Sequence, residues 1–392
     1  MTSSAPLKIA IVSGEESGDL LGADIVRALA RKTGREIKLV GVGGRHLMEL
    51  GLKPPFDASD IALVGVTAIL RDLPRLIRRI GETARMICAE KPDCLITIDS
   101  PDFTLRVAKK VRASCPEIPI VHYVCPSVWA WRPGRARAML PYVDHILCLL
   151  PFEPAELERL GGPKGTFVGH RLSHDANVLA AATSQDQRIE RGSGQKTLLL
   201  LPGSRKSEVR GLIDLFGETV YLLRSRGHDL RLVLPTVPHV AELVSAAVAN
   251  WPEKPEILLG TEDKWRAFGK ADAALIASGT VSLELALAGV PFVSCYRVDA
   301  VMKVAKRLIK SWSALLPNLI ADRPVAFEAY ESYLRPGYLA RCLEPLLDET
   351  PLRRWQKEGF AEVRHRMATS EPSGDIASRI VLDAIAGPRN LQ

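Results

Sequence analysis

The sequence predicts an α/β protein with two domains, each built on a parallel sheet, followed by a helical C-terminal tail. Short apolar runs alternate with longer helical stretches, which is typical of parallel strands joined by crossover helices. The runs are apolar almost throughout, as expected for strands that are covered on both faces. The chain has 392 residues, which is more than one hydrophobic core usually serves.

The apolar runs fall into two groups of candidate strands. In the first half they are Lys8–Ser13, Lys38–Val42, Cys94–Ile98, Ile120–Val124 and His145–Leu150. In the second half they are Thr197–Leu201, Leu230–Leu234, Ile257–Leu259, Ala273–Ala277 and Phe292–Tyr296. Helical stretches such as Leu20–Arg31 and Arg75–Glu90 separate strands of the first group.

The gap between the groups sets the domain boundaries. Residues 172–196 contain no strand pattern and are interpreted as a short helix and a linker. We therefore expect Rossmann-like domains at 1–171 and 197–350, with C-terminal helices over 351–392. The two sheets should face a cleft, and ligands should bind there at the carboxyl ends of the strands.

Composition narrows the function classes. The chain is 47% hydrophobic and 25% charged, which is ordinary for a folded protein. Its net charge of +7 suits nucleic acid, an anionic membrane or a phosphorylated substrate. Nucleic acid is disfavoured because no dense run of Lys and Arg is interleaved with aromatic residues. We see no signal peptide and no apolar run of the about 18–20 residues that span a membrane, which predicts a cytoplasmic protein.

Cysteine and histidine spacing predicts neither a metal nor a disulfide. The seven cysteines form no C-x-x-C pair, which indicates reduced thiols. His170 and His174 are four residues apart beside Asp175, but they lack the Glu of a H-E-x-x-H site. No dinucleotide fingerprint and no P-loop is present, so we expect no NAD cofactor and no P-loop ATPase.

The turn after the first strand contains Gly14, Glu15, Ser17 and Gly18. Its glycines permit a tight turn and close backbone approach to a ligand, so a sugar or phosphate contact at the helix N-terminus is one interpretation. The other interpretation is an ordinary turn in which Ser17 or Asp19 caps the helix.

Two carboxylates follow the strand Cys94–Ile98. Asp99 stands at the strand's carboxyl end, where it can accept a proton from an attacking hydroxyl, and we interpret it as functional. Pro101 should open the next helix, so Asp102 is interpreted as a structural residue of its first turn.

A run of aromatic and basic residues follows the strand Ile120–Val124. It contains His122, Trp129, Trp131 and Arg132. Such a loop suits sugar stacking, phosphate contact or lipid headgroups, whereas the alternative is a buried pair of tryptophans beside solvated arginines.

Two further stretches combine apolar residues with arginine and lysine. They are Leu63–Ile80 and Val301–Trp312. Either can dock on anionic lipid or can form an ordinary amphipathic helix packed on the sheet.

A nucleotide site is predicted in the second domain. Arg205 follows a Gly-Ser turn and can bind a diphosphate. Ser278, Gly279 and Thr280 precede a helix whose amides can bind phosphate, and Glu284 within that helix can accept ribose hydroxyls. A Thr-capped helix with an acidic first turn is the alternative. Asn318 offers an amide with both donor and acceptor groups.

These motifs together resemble the lipid-A-disaccharide synthase family. They are GEESGD (14–19), IDSPDF (98–103), HYVCPSVWAWR (122–132), LPFE (150–153), FVGH (167–170), LPGSR (201–205), SGTVSLE (278–284), YR (296–297) and LPNLIA (316–321). They occur in order over most of the chain, and HYV-x-PSVWAWR is the most specific of them.

The resemblance implies a GT-B fold and an inverting transfer without a metal. It implies the donor UDP-2,3-diacylglucosamine, the acceptor 2,3-diacylglucosamine 1-phosphate and a β(1→6) disaccharide product, made on the inner face of the cytoplasmic membrane of a Gram-negative bacterium. Asp99 matches the candidate catalytic position. The residues Arg205, Ser278, Gly279, Thr280, Glu284 and Asn318 match UDP-binding motifs. We expect Gly14, Glu15, Ser17, Gly18, His122, Trp129, Trp131, Arg132 and His170 to bind the acceptor sugar.

The resemblance also implies that the last helix crosses back onto the first domain. The sequence departs from the family pattern at Glu16, Cys125 and Arg171, where Ala, Ser and Pro are usual. Acyl-chain length and oligomeric state, a homodimer included, stay open. Three alternatives also stay open: another GT-B transferase, a UDP-sugar epimerase, or a non-catalytic protein that binds UDP-lipids.

Overall fold

A computed structural model describes residues 5–57, 66–188, 194–297 and 311–387, without the side chains of 66–73 and Ser332. The chain divides into two compact units. Unit 1 comprises Met1–Arg171 and Thr369–Gln392, and unit 2 comprises Leu172–Ala368.

Unit 1 is built on a six-stranded parallel sheet. Its strands are β1 (Leu7–Ser13), β2 (Ile37–Val42), β3 (Cys94–Ile98), β4 (Ile120–Tyr123), β5 (His145–Cys148) and β6 (Gly165–Phe167). Their order is β2-β1-β3-β4-β5-β6, and each neighbouring pair is parallel. The helices between them are α1 (Glu16–Thr33), α2 (Arg45–Met48), α3 (Val66–Glu90), α4 (Pro101–Ser114), α5 (Gly134–Met139) and α6 (Glu153–Arg159).

Unit 2 has the same design. It begins with α7 (Ala176–Asp186), and its strands are β7 (Lys196–Leu201), β8 (Leu230–Pro235), β9 (Glu256–Leu258), β10 (Ala273–Ala277), β11 (Phe292–Tyr296) and β12 (Phe327–Tyr330). They form a parallel sheet in the order β12-β11-β10-β7-β8-β9. Its other helices are α8 (Lys206–Ser225), α9 (Pro238–Val248), α10 (Thr261–Lys270), α11 (Val281–Ala288), α12 (Leu316–Ala321), α13 (Pro336–Leu347) and α14 (Pro351–Met367).

The apolar strands are covered on both faces, as the sequence predicts. All residues of β3 are buried. Leu95 packs on one face with Ile80 and Val107, whereas Ile96 packs on the other face with Ile25. Burying a side chain of this size stabilises the fold by about 1.5–3 kcal/mol.

The last described helix, α15 (Ser373–Ala386), belongs to unit 1. Ala377 and Val381 join the core cluster that contains residues of α1, and Arg31 of α1 pairs with Asp375 at 2.9 Å. Helix α14 stays in unit 2, where the Gln356 amide is hydrogen-bonded to both backbone groups of Phe292 in β11.

The ten predicted strands are confirmed, with ends that differ by at most two residues. The sequence analysis missed β6 and β12. Strand β6 is short and begins with a glycine, and β12 (FEAY) alternates polar with apolar residues, so neither forms an apolar run. Among the described helices, none is both long and apolar enough to cross a bilayer.

Candidate functional site

The loops that follow β1, β3 and β4 lie at one edge of the unit 1 sheet. These strands are parallel neighbours, so their carboxyl ends meet there. Ser13 pairs with Ile98, and Ile98 pairs with Tyr123, so the three loops begin at the same level. They contain most of the predicted acceptor residues and the predicted base.

Three residues other than glycine adopt left-handed backbone at these strand ends. The φ angle is 48° at Asp99, 41° at Ser100 and 76° at Val124. Each such conformation costs about 1–3 kcal/mol, and it is rarest for a β-branched residue such as valine. Strain of this kind concentrates at functional sites, which marks the ends of β3 and β4 as a candidate site.

Asp99 is a half-buried carboxylate at the end of β3. The Ser100 amide donates to its Oδ1 at 2.8 Å, and no described residue donates to Oδ2. Burial raises the pKa of Asp99, and the hydrogen bond from Ser100 partly opposes that rise. A carboxylate with a raised pKa and an open oxygen has the properties of a general base. The catalytic role of Asp99 stays a prediction.

Asp102 connects α4 to the loop after β4. It lies in the first turn of α4, and its carboxylate pairs with Arg135 at 2.7 Å and approaches Arg132 at 3.9 Å. These contacts agree with the structural interpretation of Asp102.

The turn after β1 differs from the prediction in how its helix is capped. Neither Ser17 nor Asp19 caps α1, whose N-cap residue is Glu15. The Asp19 carboxylate instead accepts from the amides of Gly44 and His46, each at 2.7 Å, and so caps α2. The proposed capping role was wrong because a carboxylate one turn inside α1 can reach the loop after β2.

The predicted sugar-binding residues of this turn occupy two environments. Gly14 and Gly18 are buried, whereas Glu15 and Ser17 are exposed. A Cβ at Gly18 would lie 2.6 Å from Ser13 Oγ and 3.3 Å from Ile98 Cγ2. Gly18 is therefore required for packing of α1 on the sheet, and direct contact with a sugar is open to the exposed pair.

His122 lies below the surface and does not support the predicted direct contact with the acceptor. It is fully buried in β4, with Nδ1 2.8 Å from Thr97 Oγ1. Its Nε2 has no partner in the part of the chain that the structure describes. Burial lowers the pKa of His122 to about 3, so the ring is neutral. When both faces of a strand are covered, the sequence pattern does not show whether a given side chain is buried, so the burial of His122 could not be predicted.

His170 is partly buried and is also neutral near pH 7. Burial, together with the neighbouring Arg171, lowers its pKa to about 4. It follows Gly169, which has a φ of 82° and sits against Thr369 of the C-terminal segment of unit 1.

The two tryptophans after β4 take different roles. Trp129 is half-buried, makes an edge contact with Phe152 at 5.2 Å, and donates from Nε1 to Glu153 at 3.4 Å. Trp131 is 39% exposed, and the Arg132 guanidinium lies 4.1 Å above its ring. An exposed aromatic ring beside a guanidinium suits contact with a sugar and a phosphate.

In unit 2, Arg205 follows a sharp turn at the end of β7. Gly203 has a φ of 114°, and a Cβ there would lie 2.4 Å from the Glu208 carboxylate. That carboxylate accepts from the amides of Ser204 and Arg205, each at 3.1 Å. The exposed Arg205 guanidinium pairs with Glu208 at 2.9 Å. An exposed ion pair of this kind is weak, so the guanidinium can turn toward an anion.

The loop after β10 leads into α11 without a threonine cap. Thr280 has helical backbone angles and no capping hydrogen bond, so the capped alternative is wrong. Gly279 and Thr280 are exposed, and Ser278 is half-buried. The amides of this turn therefore lie next to solvent-accessible space, as an anion site requires.

Glu284 has a partner that the sequence analysis missed. Both of its carboxylate oxygens lie 3.0 Å from Lys264 Nζ, which also lies 4.7 Å from the ring of Trp265. Lys264 belongs to α10, and nothing in the spacing of a surface lysine indicates such a partner. The ion pair holds the Glu284 side chain in one orientation.

Asn318 is buried within unit 2, which does not support its predicted contact with UDP. It is 2% exposed, and its Oδ1 accepts from the amides of Val325 and Ala326 at 2.8 and 3.0 Å. Its Nδ2 faces Ser313, Ala326 and Glu328. The side chain therefore connects α12 to the segment that leads into β12, and a direct contact with UDP stays a prediction.

Comparison with known proteins decides the family. Residues 9–372 match the family model described as Lipid-A-disaccharide synthetase. A relative from Nitrobacter winogradskyi, named lipid-A-disaccharide synthase, is 45% identical over 384 residues, covering 97% of this chain and 96% of the relative. The chain belongs to the lipid-A-disaccharide synthase family.

Solved structures identify the fold as GT-B. MurG from Acinetobacter baumannii superposes with a TM-score of 0.61 at 14% identity, over 96% of this chain and 100% of that one. The S. aureus MnaA–UDP co-structure gives a TM-score of 0.60 at 14% identity, over 97% and 96% of the two chains. At these identities the likeness establishes the fold alone.

Membership makes the protein a hexosyltransferase of lipid A biosynthesis. The three departures from the family pattern leave the predicted base in place. Cys125 is buried, and its thiol donates to the Pro126 carbonyl at 3.4 Å. Glu16 is exposed at the start of α1, and Arg171 pairs with Asp24 at 3.3 Å.

Cys125 forms a buried cluster with Cys148 and Glu153. One sulfur or oxygen atom of each lies within 4.8 Å of the others. The Glu153 carboxylate is already engaged with three N–H donors, from Leu149, Leu150 and Trp129. In this family member the cluster is therefore satisfied by protein groups.

The two predicted lipid-docking stretches are only partly described. Residues 63–65 and 301–310 lie outside the described residues, and the side chains of 66–73 are not described either. In the described part of the first, Leu76 and Ile80 are buried and Ile77 is 51% exposed. Trp312, at the end of the second, is 54% exposed. The buried pair fits an amphipathic helix, and Ile77 and Trp312 leave apolar surface facing solvent.

Proposed function

We propose that this family member transfers 2,3-diacylglucosamine from its UDP donor to 2,3-diacylglucosamine 1-phosphate. The acceptor 6-hydroxyl oxygen forms a bond to the donor's anomeric carbon while the bond from that carbon to the UDP oxygen breaks. The hydroxyl proton passes to Asp99, and UDP leaves with the electron pair. One in-line displacement inverts the anomeric centre and gives the β(1→6) disaccharide 1-phosphate.

The observation that carries this mechanism is the state of Asp99. Its pKa is raised by burial, its Oδ2 has no donor among the described residues, and it stands where the strained ends of β3 and β4 meet. A general base of this kind contributes about 10²–10⁴-fold to the rate. The exposed Trp131–Arg132 pair supports acceptor binding beside it, because an aromatic ring stacks on a sugar and a guanidinium binds a 1-phosphate.

The donor proposal rests on unit 2. Arg205 and the turn at Ser278, Gly279 and Thr280 offer a guanidinium and amides to the diphosphate, where negative charge develops as UDP leaves. Glu284 offers a carboxylate to the ribose hydroxyls. A solved structure with the same fold, the S. aureus MnaA–UDP co-structure, supports a UDP ligand for this protein. Asn318 contributes by holding α12.

We further propose that the enzyme works on the inner face of the cytoplasmic membrane. The net charge of +7 and the exposed Ile77 and Trp312 support attraction to anionic lipid. Sedimentation with vesicles of phosphatidylglycerol should carry the protein down, whereas vesicles of phosphatidylcholine should not. Equal sedimentation would contradict the electrostatic part of this proposal. A homodimer stays a prediction that light scattering can test.

Incubation with both acylated sugars, followed by mass spectrometry, tests the reaction. We expect the tetraacyl disaccharide 1-phosphate and one UDP for each disaccharide. UDP-N-acetylglucosamine without long acyl chains is the matched control. Disaccharide formation from the control alone would indicate a different transferase, its epimerisation would indicate an epimerase, and binding without UDP release would indicate a non-catalytic protein.

A further inference from the structure

Glu153 is a buried carboxylate that the proposed mechanism does not use. It is the first residue of α6 and is 3% exposed. Its Oε2 accepts from the amides of Leu149 and Leu150, each at 3.0 Å. Its Oε1 accepts from the indole N–H of Trp129 at 3.4 Å. One side chain therefore links the loop after β5 to the loop after β4.

A carboxyl side chain is costly to bury at this position. The carboxylate lies beside the thiols of Cys125 and Cys148, within an apolar cluster that also includes Val128 and Ile146. Burial raises the pKa of Glu153 to about 7. Burying a carboxylate costs free energy unless its hydrogen bonds compensate the loss of water. We take this cost as an indication that the bond to Trp129 has a role beyond accepting from the two amides.

The contact fixes the orientation of Trp129. Phe152, next to Glu153 in the chain, meets the same indole edge-on at 5.2 Å. Two adjacent residues thus hold the Trp129 ring: Glu153 accepts from its N–H, and Phe152 makes an edge contact with it. A half-buried indole held in this way has little rotational freedom.

The same loop is held a second time, on its C-terminal side. Arg135 of α5 pairs with Asp102 of α4 at 2.7 Å. Between these two attachments lie Trp131, which is 39% exposed, and Arg132, whose guanidinium covers the Trp131 ring at 4.1 Å. Arg132 has a φ of 51°, so this short segment is also strained.

We propose that Glu153 is a positioning residue for the acceptor, acting through the indole N–H of Trp129 to hold the Trp131–Arg132 pair in its binding orientation. This inference rests on the proposed function, because it takes the Trp131–Arg132 pair as the acceptor contact. Glu153 itself touches neither substrate.

A double-mutant cycle in the full-length enzyme tests the inference. The variants are Glu153→Gln, Trp129→Phe and the double substitution, and Trp355→Phe in unit 2 is the matched control for losing an indole. Glu153→Gln keeps the size of the side chain but removes the charged acceptor. Trp129→Phe keeps a ring and leaves the bonds from Glu153 to Leu149 and Leu150 untouched, so it probes the same contact if the glutamine variant folds poorly.

Each single substitution should raise the acceptor KM about five- to tenfold and leave the donor KM within about twofold. The double variant should be no worse than the more affected single variant, because both remove one contact. Trp355→Phe should leave both constants unchanged. Effects that multiply in the double variant, or an unchanged acceptor KM in either single variant, would overturn the inference.

Failure of the proposed function gives a different pattern. The Trp131→Ala/Arg132→Ala variant removes the acceptor contact directly. If that variant keeps a normal acceptor KM, the acceptor site is elsewhere and the proposed function of the loop is wrong. If it raises the acceptor KM while Glu153→Gln and Trp129→Phe do not, the loop binds the acceptor and only the inference about Glu153 fails.

Discussion

The stability of the enzyme should depend on pH through Glu153. Burial raises the pKa of this carboxyl from its ordinary value of 4.5 to about 7. Between these values the folded protein holds a proton on Glu153 that the unfolded chain has lost, so the free energy of unfolding falls as the pH rises through this window. At about 1.4 kcal/mol for each pH unit, the loss amounts to about 3 kcal/mol and is complete just above pH 7.

Substitution by glutamine removes the titration and should remove this slope. We expect the difference in unfolding free energy between the wild type and Glu153→Gln to change by about 3 kcal/mol between pH 4.5 and 7.5. Urea unfolding followed by tryptophan fluorescence at several pH values measures it. Glu158→Gln, exposed on the same helix, is the matched control and should follow the wild type. Parallel curves for the wild type and Glu153→Gln would refute the reasoning.

Three further predictions follow from side chains that the structure places outside direct catalysis. Asn318→Ala leaves the buried amides of Val325 and Ala326 without their acceptor, so urea unfolding should show a free energy of unfolding lower by about 2–4 kcal/mol, while the UDP affinity of the folded protein stays normal. Normal stability with lost UDP affinity would indicate instead that Asn318 contacts the ligand. Gly18→Ala places a methyl group 2.6 Å from a buried hydroxyl oxygen and should lower stability by about 1–3 kcal/mol in the same assay, and an unchanged midpoint would show that α1 can shift. Lys264→Met frees the Glu284 carboxylate and should raise the donor KM about threefold to tenfold without changing the acceptor KM; equal changes in both constants would exclude a role confined to the donor.

The strands could be predicted from the sequence wherever they are buried on both faces. Strands β3, β10 and β11 are apolar almost throughout because helices cover both of their faces, and their predicted bounds equal the observed ones. In a strand that is covered on both faces, however, the sequence does not show whether a polar residue is buried or exposed. His122 fits the strand pattern in either case, and the structure shows that it is fully buried against Thr97.

The exposure of a candidate residue could be predicted where its position at the end of a strand decides that exposure. Asp99 follows directly after β3 and is half-buried there. The role of Asn318 could not be assigned, because a polar residue in a short motif gives the same sequence pattern whether it binds a ligand or holds neighbouring backbone. The contacts of Lys264 and Glu153 join segments that are distant in sequence, 20 residues for Lys264–Glu284 and 24 for Glu153–Trp129, and no local spacing encodes them.

The role of Asp99 is tested most directly by Asp99→Asn, with turnover and UDP affinity measured on the same preparation. The amide keeps the shape of the side chain but cannot take the hydroxyl proton. We expect disaccharide formation to fall by about 10²–10⁴-fold while the dissociation constant of UDP stays within about twofold. Turnover within about threefold of the wild type, in a folded variant that binds UDP normally, would contradict the assignment of Asp99 as the base.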